Sequence, residues 1–227
     1  AAGQTQAAGL ANWSEIADGG SYDATVDDTD HKLEIVGSDG KMSHAGFAIT
    51  VSGTGHTIKG AKGFNDFAVT GDKASITLTG DTATATVLTV GNDKATDDNE
   101  VVNISLKELK IAGGELAIHG GGTKNTSSVA ATSITIGQTP TKAPATAVVT
   151  LGKNAVLGSD TTTSFNIGNG GELKFSGAGA KAVSKNGIVL NGGAINSAAD
   201  STGTIAGGLT VKAGKLDVAN KGTLTID

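Results

Sequence analysis

The chain reads as an all-β protein of the right-handed parallel β-helix kind, a β-solenoid, and three observations predict it. Glycine supplies 35 of the 227 residues, proline only 2, and aromatics 3%. Apolar residues come in short alternating pairs, the period of a strand, and not in helical stripes. A Gly/Asn corner between two such pairs returns about once per 20 residues in the second half of the chain, the signature of stacked rungs.

The composition narrows the alternatives. Collagen needs glycine at every third position, and no such period exists. A single thick core draws much of its buried area from aromatics. This chain has one Trp, one Tyr and five Phe. Its 37% of hydrophobic residues are mostly Ala, Val, Ile and Leu, which suit a thin core of many small layers.

Residues 1–22 differ from the rest. Leu10, Trp13 and Ile16 fall at helical spacing, and the only Tyr, Tyr22, lies here too. A solenoid end exposes apolar side chains and unpaired strand edges, so this segment is expected to form a cap, irregular or briefly helical. Residues 23–227 are expected to form one β-helix domain.

Period-two apolar sets mark the strands in order. They begin with Leu33/Ile35, Ile49/Val51, Phe67/Val69, Ile76/Leu78 and Val102/Ile104/Leu106. Leu109/Ile111, Ile134/Ile136, Val149/Leu151, Phe165/Ile167 and Leu173/Phe175 follow. The series closes with Ile188/Leu190, Leu209/Val211, Leu216/Val218 and Leu224/Ile226. Each set places its apolar side chains on one face.

The corners are IAGGELAI from Ile111, LGKNAVL from Leu151, IGNGGELKF from Ile167, LNGGAI from Leu190, VKAGKLDV from Val211 and VANKGTLTI from Val218. Their turn residues are Gly113, Gly114, Asn154, Asn169, Gly170, Asn191, Gly192, Gly214, Asn220 and Gly222. Gly and Asn enter the left-handed backbone region at low cost, which gives each corner a mechanical reason. A Gly-rich turn between strands also signals a hairpin. The recurrence decides against hairpins. Val156, Leu173, Ile195 and Leu216 open the strands after successive corners, 17, 22 and 21 residues apart, and are expected to stack. At about 20 residues per rung, 30–227 would make about ten rungs and a rod about 50 Å long. Asn154, Asn169, Asn191 and Asn220 are expected to form a partial amide ladder.

The repeated segments IGNGGELKF, LNGGAIN, VKAGKLDVANKGTLTID and IAGGELAI resemble the passenger domain of type V autotransporters, of the adhesin or self-associating kind. The resemblance is clearest over 100–227 and looser over 23–100. It implies export across a bacterial outer membrane, display at the cell surface, and a membrane β-barrel beyond the passenger. The start AAGQTQ, without Met, and the end TLTID, in mid-pattern, are then expected of a mature or fragmentary passenger.

Several chemistries are disfavoured. All 17 basic residues are Lys and the net charge is −5, against a nucleic-acid partner or a polybasic membrane anchor. No run of eighteen apolar residues exists to span a bilayer as a helix. Cysteine is absent, so no disulfide contributes. The serine-protease motif Gly-Asp-Ser-Gly does not occur; GSDG at 37–40 has the wrong order. His31, His44, His56 and His119 are scattered without metal-ligand spacing. A polysaccharide lyase would need groove carboxylates, usually an arginine, and aromatics for sugar stacking; this chain has no arginine.

Two acidic runs remain. Asp93, Asp97, Asp98 and Glu100 lie in TVGNDKATDDNEV, a loop long enough to project and the candidate contact surface. Asp23, Asp27, Asp28 and Asp30 are the candidate oxygen ligands for a cation, although neither run matches a calcium loop. Solvated surface charge is the plainer reading of both. No cofactor is expected. The reading is therefore a non-enzymatic surface adhesin or self-association module, whose partner is a host-cell or matrix receptor or another copy of itself. A carbohydrate-active β-helix and a phage or filament spike share the fold and form the alternatives.

Overall fold

The apolar pairs become strands, and every pairing between named strands is parallel. The computed structural model describes residues 103–120, 126–138 and 146–227, and before them the strands lying between Ser21 and Gly91. No helix occurs among the described residues.

The early strands are β1 (Ser21–Ala24), β2 (Lys32–Ile35), β3 (Lys41–Ala45), β4 (Ala48–Val51), β5 (His56–Gly60), β6 (Asp66–Thr70), β7 (Ser75–Leu78) and β8 (Val87–Gly91). Next come β9 (Asn103–Ile111), β10 (Gly114–His119), β11 (Ser127–Ile136), β12 (Ala147–Leu151), β13 (Ala155–Ser159) and β14 (Ser164–Ile167). The last are β15 (Gly171–Phe175), β16 (Ala178–Ser184), β17 (Ile188–Ser197), β18 (Thr202–Ala206), β19 (Leu209–Val218) and β20 (Thr223–Ile226).

These strands fall on three faces of a parallel β-solenoid. The first face stacks β1, β4, β7, the second halves of β9 and β11, β14, and the starts of β17 and β19. The second stacks β2, β5, β8, β10, β12, β15 and the ends of β17 and β19. The third holds β3, β6, the starts of β9 and β11, then β13, β16, β18 and β20.

About five turns make up the core from Asn103 onward, and the earlier strands stack in the same columns. The expected ten rungs are not reached, because a turn consumes more chain wherever a loop enters it. Ile205 stacks on Ile226 through a short turn that closes near the spacing of the corners. Leu116 stacks on Val149 only after a longer excursion, which takes in β11 and the segments on either side of it.

Like side chains stack inside. On the second face the inward row is Leu88, Leu116, Val149, Leu173, Ile195 and Leu216. On the third it is Ile104, Val129, Leu157, Ala182, Ile205 and Ile226. All of these are buried except the two in the last turn, Leu216 and Ile226. Each large buried aliphatic stabilises by about 1.5–3 kcal/mol relative to exposure. A surface ion pair contributes about 0–1 kcal/mol, so the apolar rows hold the rod together. The cross-section is narrow, and volumes trade between faces. Phe165, Phe175, Ala180 and Ala182 are buried in one cluster. One turn on, a Cβ added to Gly203 would stand 2.6 Å from the Phe175 ring.

The corner residues divide by function. At three corners between the second and third faces, Ala155, Ser201 and Gly222 donate backbone N–H bonds to the carbonyls of Gly152, Ala198 and Ala219. The third residue of each turn is left-handed: Asn154 (φ 54), Asp200 (φ 59) and Lys221 (φ 62). Gly114, Gly170, Gly192 and Gly214 also take positive φ, at corners between the first and second faces.

Two stacking expectations are corrected. Val156 does not share a row with Leu173. It lies on the third face, half-buried and paired with Lys181, while Leu157 points inward. The turn before it belongs to a different corner, and a one-residue shift of phase flips a strand's faces. The four asparagines do not form one ladder either. Asn154 and Asn220 occupy the second corner, three turns apart, whereas Asn169 and Asn191 occupy the first. The cap expected over 1–22 lies outside the described residues, apart from Ser21 and Tyr22, which begin β1.

Buried hydroxyls finish the corners. Thr162 Oγ1 accepts from the Ser159 N–H (3.0 Å) and donates to the Ala131 carbonyl (2.6 Å). Ser197 and Ser201 share a 2.9 Å hydroxyl bond, and Ser201 donates to the Ala198 carbonyl (2.7 Å). These polar groups inside the coil are thereby satisfied by the protein itself.

Candidate binding face

Period-two alternation that buries one set of side chains must present the other set outward. On the second face this produces two straight rows. One contains Glu115, Val148, Glu172, Ala194 and Lys215. Beside it run Thr150, Lys174, Asn196 and Asp217, in register with Ala117, which is buried. Successive members stand one strand spacing apart, about 4.8 Å.

Hydrogen bonds between turns order these rows. Thr150 Oγ1 donates to Glu115 Oε1 (2.6 Å), and Asn196 Nδ2 donates to Glu172 Oε1 (2.7 Å). Each carboxylate is thus held by a polar side chain of the following turn, on the neighbouring row. In the last turn Lys215 Nζ and Asp217 Oδ2 are 2.8 Å apart. Their hydrogen bond, reinforced by charge attraction, holds the Asp217 carboxyl below its ordinary value and raises the Lys215 ammonium above its own. Both side chains are exposed, so solvent screens the pair. Asn196 Oδ1 is buried with no partner among the described residues. The other faces also carry polar rows: the first presents Glu108, Ser133 and Ser164 beside Lys110, Thr135, Asn166 and Thr210, with Asn166 Nδ2 donating to Ser164 Oγ (3.0 Å). The third carries Asn103, Ser128, Val156, Lys181, Thr204 and Thr225 outward, with Ser128 Oγ donating to Asn103 Oδ1 (2.7 Å).

A flat array of fixed donors, acceptors and charges suits contact with an extended or flat partner through many small interactions. Among the described residues no group of three or more His, Asp or Glu gathers to hold a metal ion.

The residues singled out from sequence lie elsewhere. Asp93, Asp97, Asp98 and Glu100 fall outside the described residues, as do Asp27, Asp28 and Asp30, while Asp23 belongs to β1. His44, His56 and His119 stand on three different strands, β3, β5 and β10. Glu115, Thr150, Glu172, Lys174, Asn196, Lys215 and Asp217 were not singled out. Their signal was present in GELAI, GELKF and GKLDV, where a charged residue directly follows the corner glycine. Period two assigns them to the outer side. Only the register shows that they share a face.

Comparison with protein-family models, curated proteins and solved structures finds no match to this chain.

Proposed function

We propose that this chain is a surface-displayed adhesive or self-associating module, of the kind carried as an autotransporter passenger at the bacterial cell surface. It acts without catalysis, by many weak polar contacts along the solenoid. The observation that carries this reading is the pair of outward rows on the second face, where Thr150 holds Glu115 and Asn196 holds Glu172 from one turn to the next, and Lys215 pairs with Asp217 within the last turn. Pre-ordered side chains lose less conformational freedom on contact, which favours a rigid array as a binding surface. Each contact is weak on its own, and avidity over many copies per cell supplies the strength. A host-cell or matrix receptor, or a second copy, presents the complementary surface.

The test is cell settling and attachment with the chain displayed on bacteria. Replacing the exposed Lys174 by Ala is expected to reduce settling or host-cell attachment while leaving the melting temperature nearly unchanged. Raised salt is expected to weaken the same contacts, because exposed charges are screened within about 8 Å at physiological ionic strength. Settling and attachment equal to those of cells without the chain would overturn the reading.

A further inference from the structure

The sequence contains three Asn-Gly dipeptides, Asn169-Gly170, Asn186-Gly187 and Asn191-Gly192, and all three lie at solenoid corners. Asn-Gly is chemically labile, because the glycine nitrogen has no neighbouring Cβ to hinder its attack on the asparagine side chain. The three glycines share positive φ, at 70, 81 and 104 in chain order. Their asparagines are held very differently.

Asn186 is anchored: its Nδ2 donates to the Thr163 carbonyl one turn back (2.9 Å). Asn169 is half-buried, and its Oδ1 packs over Gly192 of the following turn. Its backbone is fixed as well, with Gln138 donating to its carbonyl (3.0 Å) and Gly171 closing the turn onto Gly168 (3.0 Å). Asn191 is exposed. The ladder also slips at this point. Toward the preceding turn, pairing stops at Leu190 and resumes at Ala194. Toward the following turn, Asn191 pairs with Ala213, which leaves Lys212 as an extra residue, and pairing again resumes at Ala194. Gly192 and Gly193 therefore stand outside the register on both sides.

We propose that Asn191 is a site of spontaneous covalent modification. The Gly192 backbone nitrogen gives its proton to solvent base and forms a bond to Asn191 Cγ. Nδ2 takes a proton from solvent, the Cγ–Nδ2 bond breaks and ammonia leaves, which completes the succinimide. Water then adds to one of the two ring carbonyls and opens it to aspartate or isoaspartate. The first product places a new carboxylate on the corner. The second also lengthens the backbone by one methylene, at a place where the ladder already tolerates irregularity. Nothing in this chemistry depends on the adhesive role.

The experiment incubates the folded chain in warm, mildly alkaline buffer and follows all three sites by peptide mapping, with aspartate and isoaspartate products separated. Conversion at Asn191 is expected to run about tenfold faster than at Asn169 or Asn186, the rate equivalent of sparing one hydrogen bond that must otherwise break first. In denaturant the three rates are expected to converge, since the fold alone separates them. Equal rates in the folded chain, or faster conversion at either other site, would overturn the proposal. So would an Asn191 advantage that persists in denaturant, which would place the selectivity in local sequence. An Asn191→Ser variant is expected to lose the fast phase and keep the two slow ones.

Discussion

Lys221 occupies a left-handed position that its side chain disfavours. Its φ of 62 matches those of Asn154 and Asp200 at equivalent corners, where a short polar side chain reduces the strain. Replacing Lys221 by Gly is expected to stabilise the chain by up to about 1 kcal/mol, and Asn154→Ala to destabilise it by a similar amount. Thermal melting of the two variants should shift in opposite directions. The exposed pair in the same turn makes a smaller, pH-dependent contribution. Because the folded Asp217 carboxyl lies below its ordinary value, its stabilisation is present above the unfolded pKa and is lost as pH falls through the folded one. A titration followed by NMR is expected to place the Asp217 midpoint below that of an ordinary carboxylate. In Lys215→Ala the midpoint should return toward the ordinary value.

Strands are where alternation becomes packing. In β13 the buried residues are Ala155, Leu157 and Gly158, and Val156 faces outward between its neighbours. Leu157→Ala is therefore expected to cost about 2–5 kcal/mol, since it removes one member of a stacked row and leaves a cavity in a narrow core. Val156→Ala should cost less than about 1 kcal/mol. Denaturant midpoints of the two variants check the assignment, and equal losses would contradict the register. Corners also differ between elements. β9 and β11 bend from the third face to the first within one strand, whereas β17 and β19 bend from the first to the second. Both bends read as Gly- or polar-interrupted strands in sequence, and local pattern does not separate them.

A solenoid is held by contacts between neighbouring turns, so its stability is local along the axis. The interior turns bury their rows completely, as at Leu157, Leu173, Ile195 and Ile205. The turn over 209–226 leaves Val211 (56% exposed) and Ile226 (47%) in contact with solvent. Hydrogen exchange is expected to be slowest in β12 through β17 and markedly faster in β19 and β20. Uniform protection across all turns would contradict this ordering. The same one-dimensional construction explains how the outward rows arise. A side chain's neighbours on the surface lie a whole turn away in sequence, as with Glu115 and Thr150 or Glu172 and Asn196.

Sequence alone determined most of the strands, the inward residues of many of them, and the use of Gly and Asn at corners. Each of these is a local property: alternation sorts side chains to two sides, and positive φ selects small or polar turn residues. β1, β3, β5, β8, β16 and β18 carry no marked apolar pair and emerge only from pairing with neighbouring turns. Tertiary structure decided which corner each turn belongs to, and hence which side chains share a row. That is why Val156 and Leu173 part company, why the asparagines divide between two corners, and why Glu172 meets Asn196 on one face. The physical reason is register. Backbone pairing between turns sets it across loops of unequal length, and no local pattern records how much chain each turn consumes.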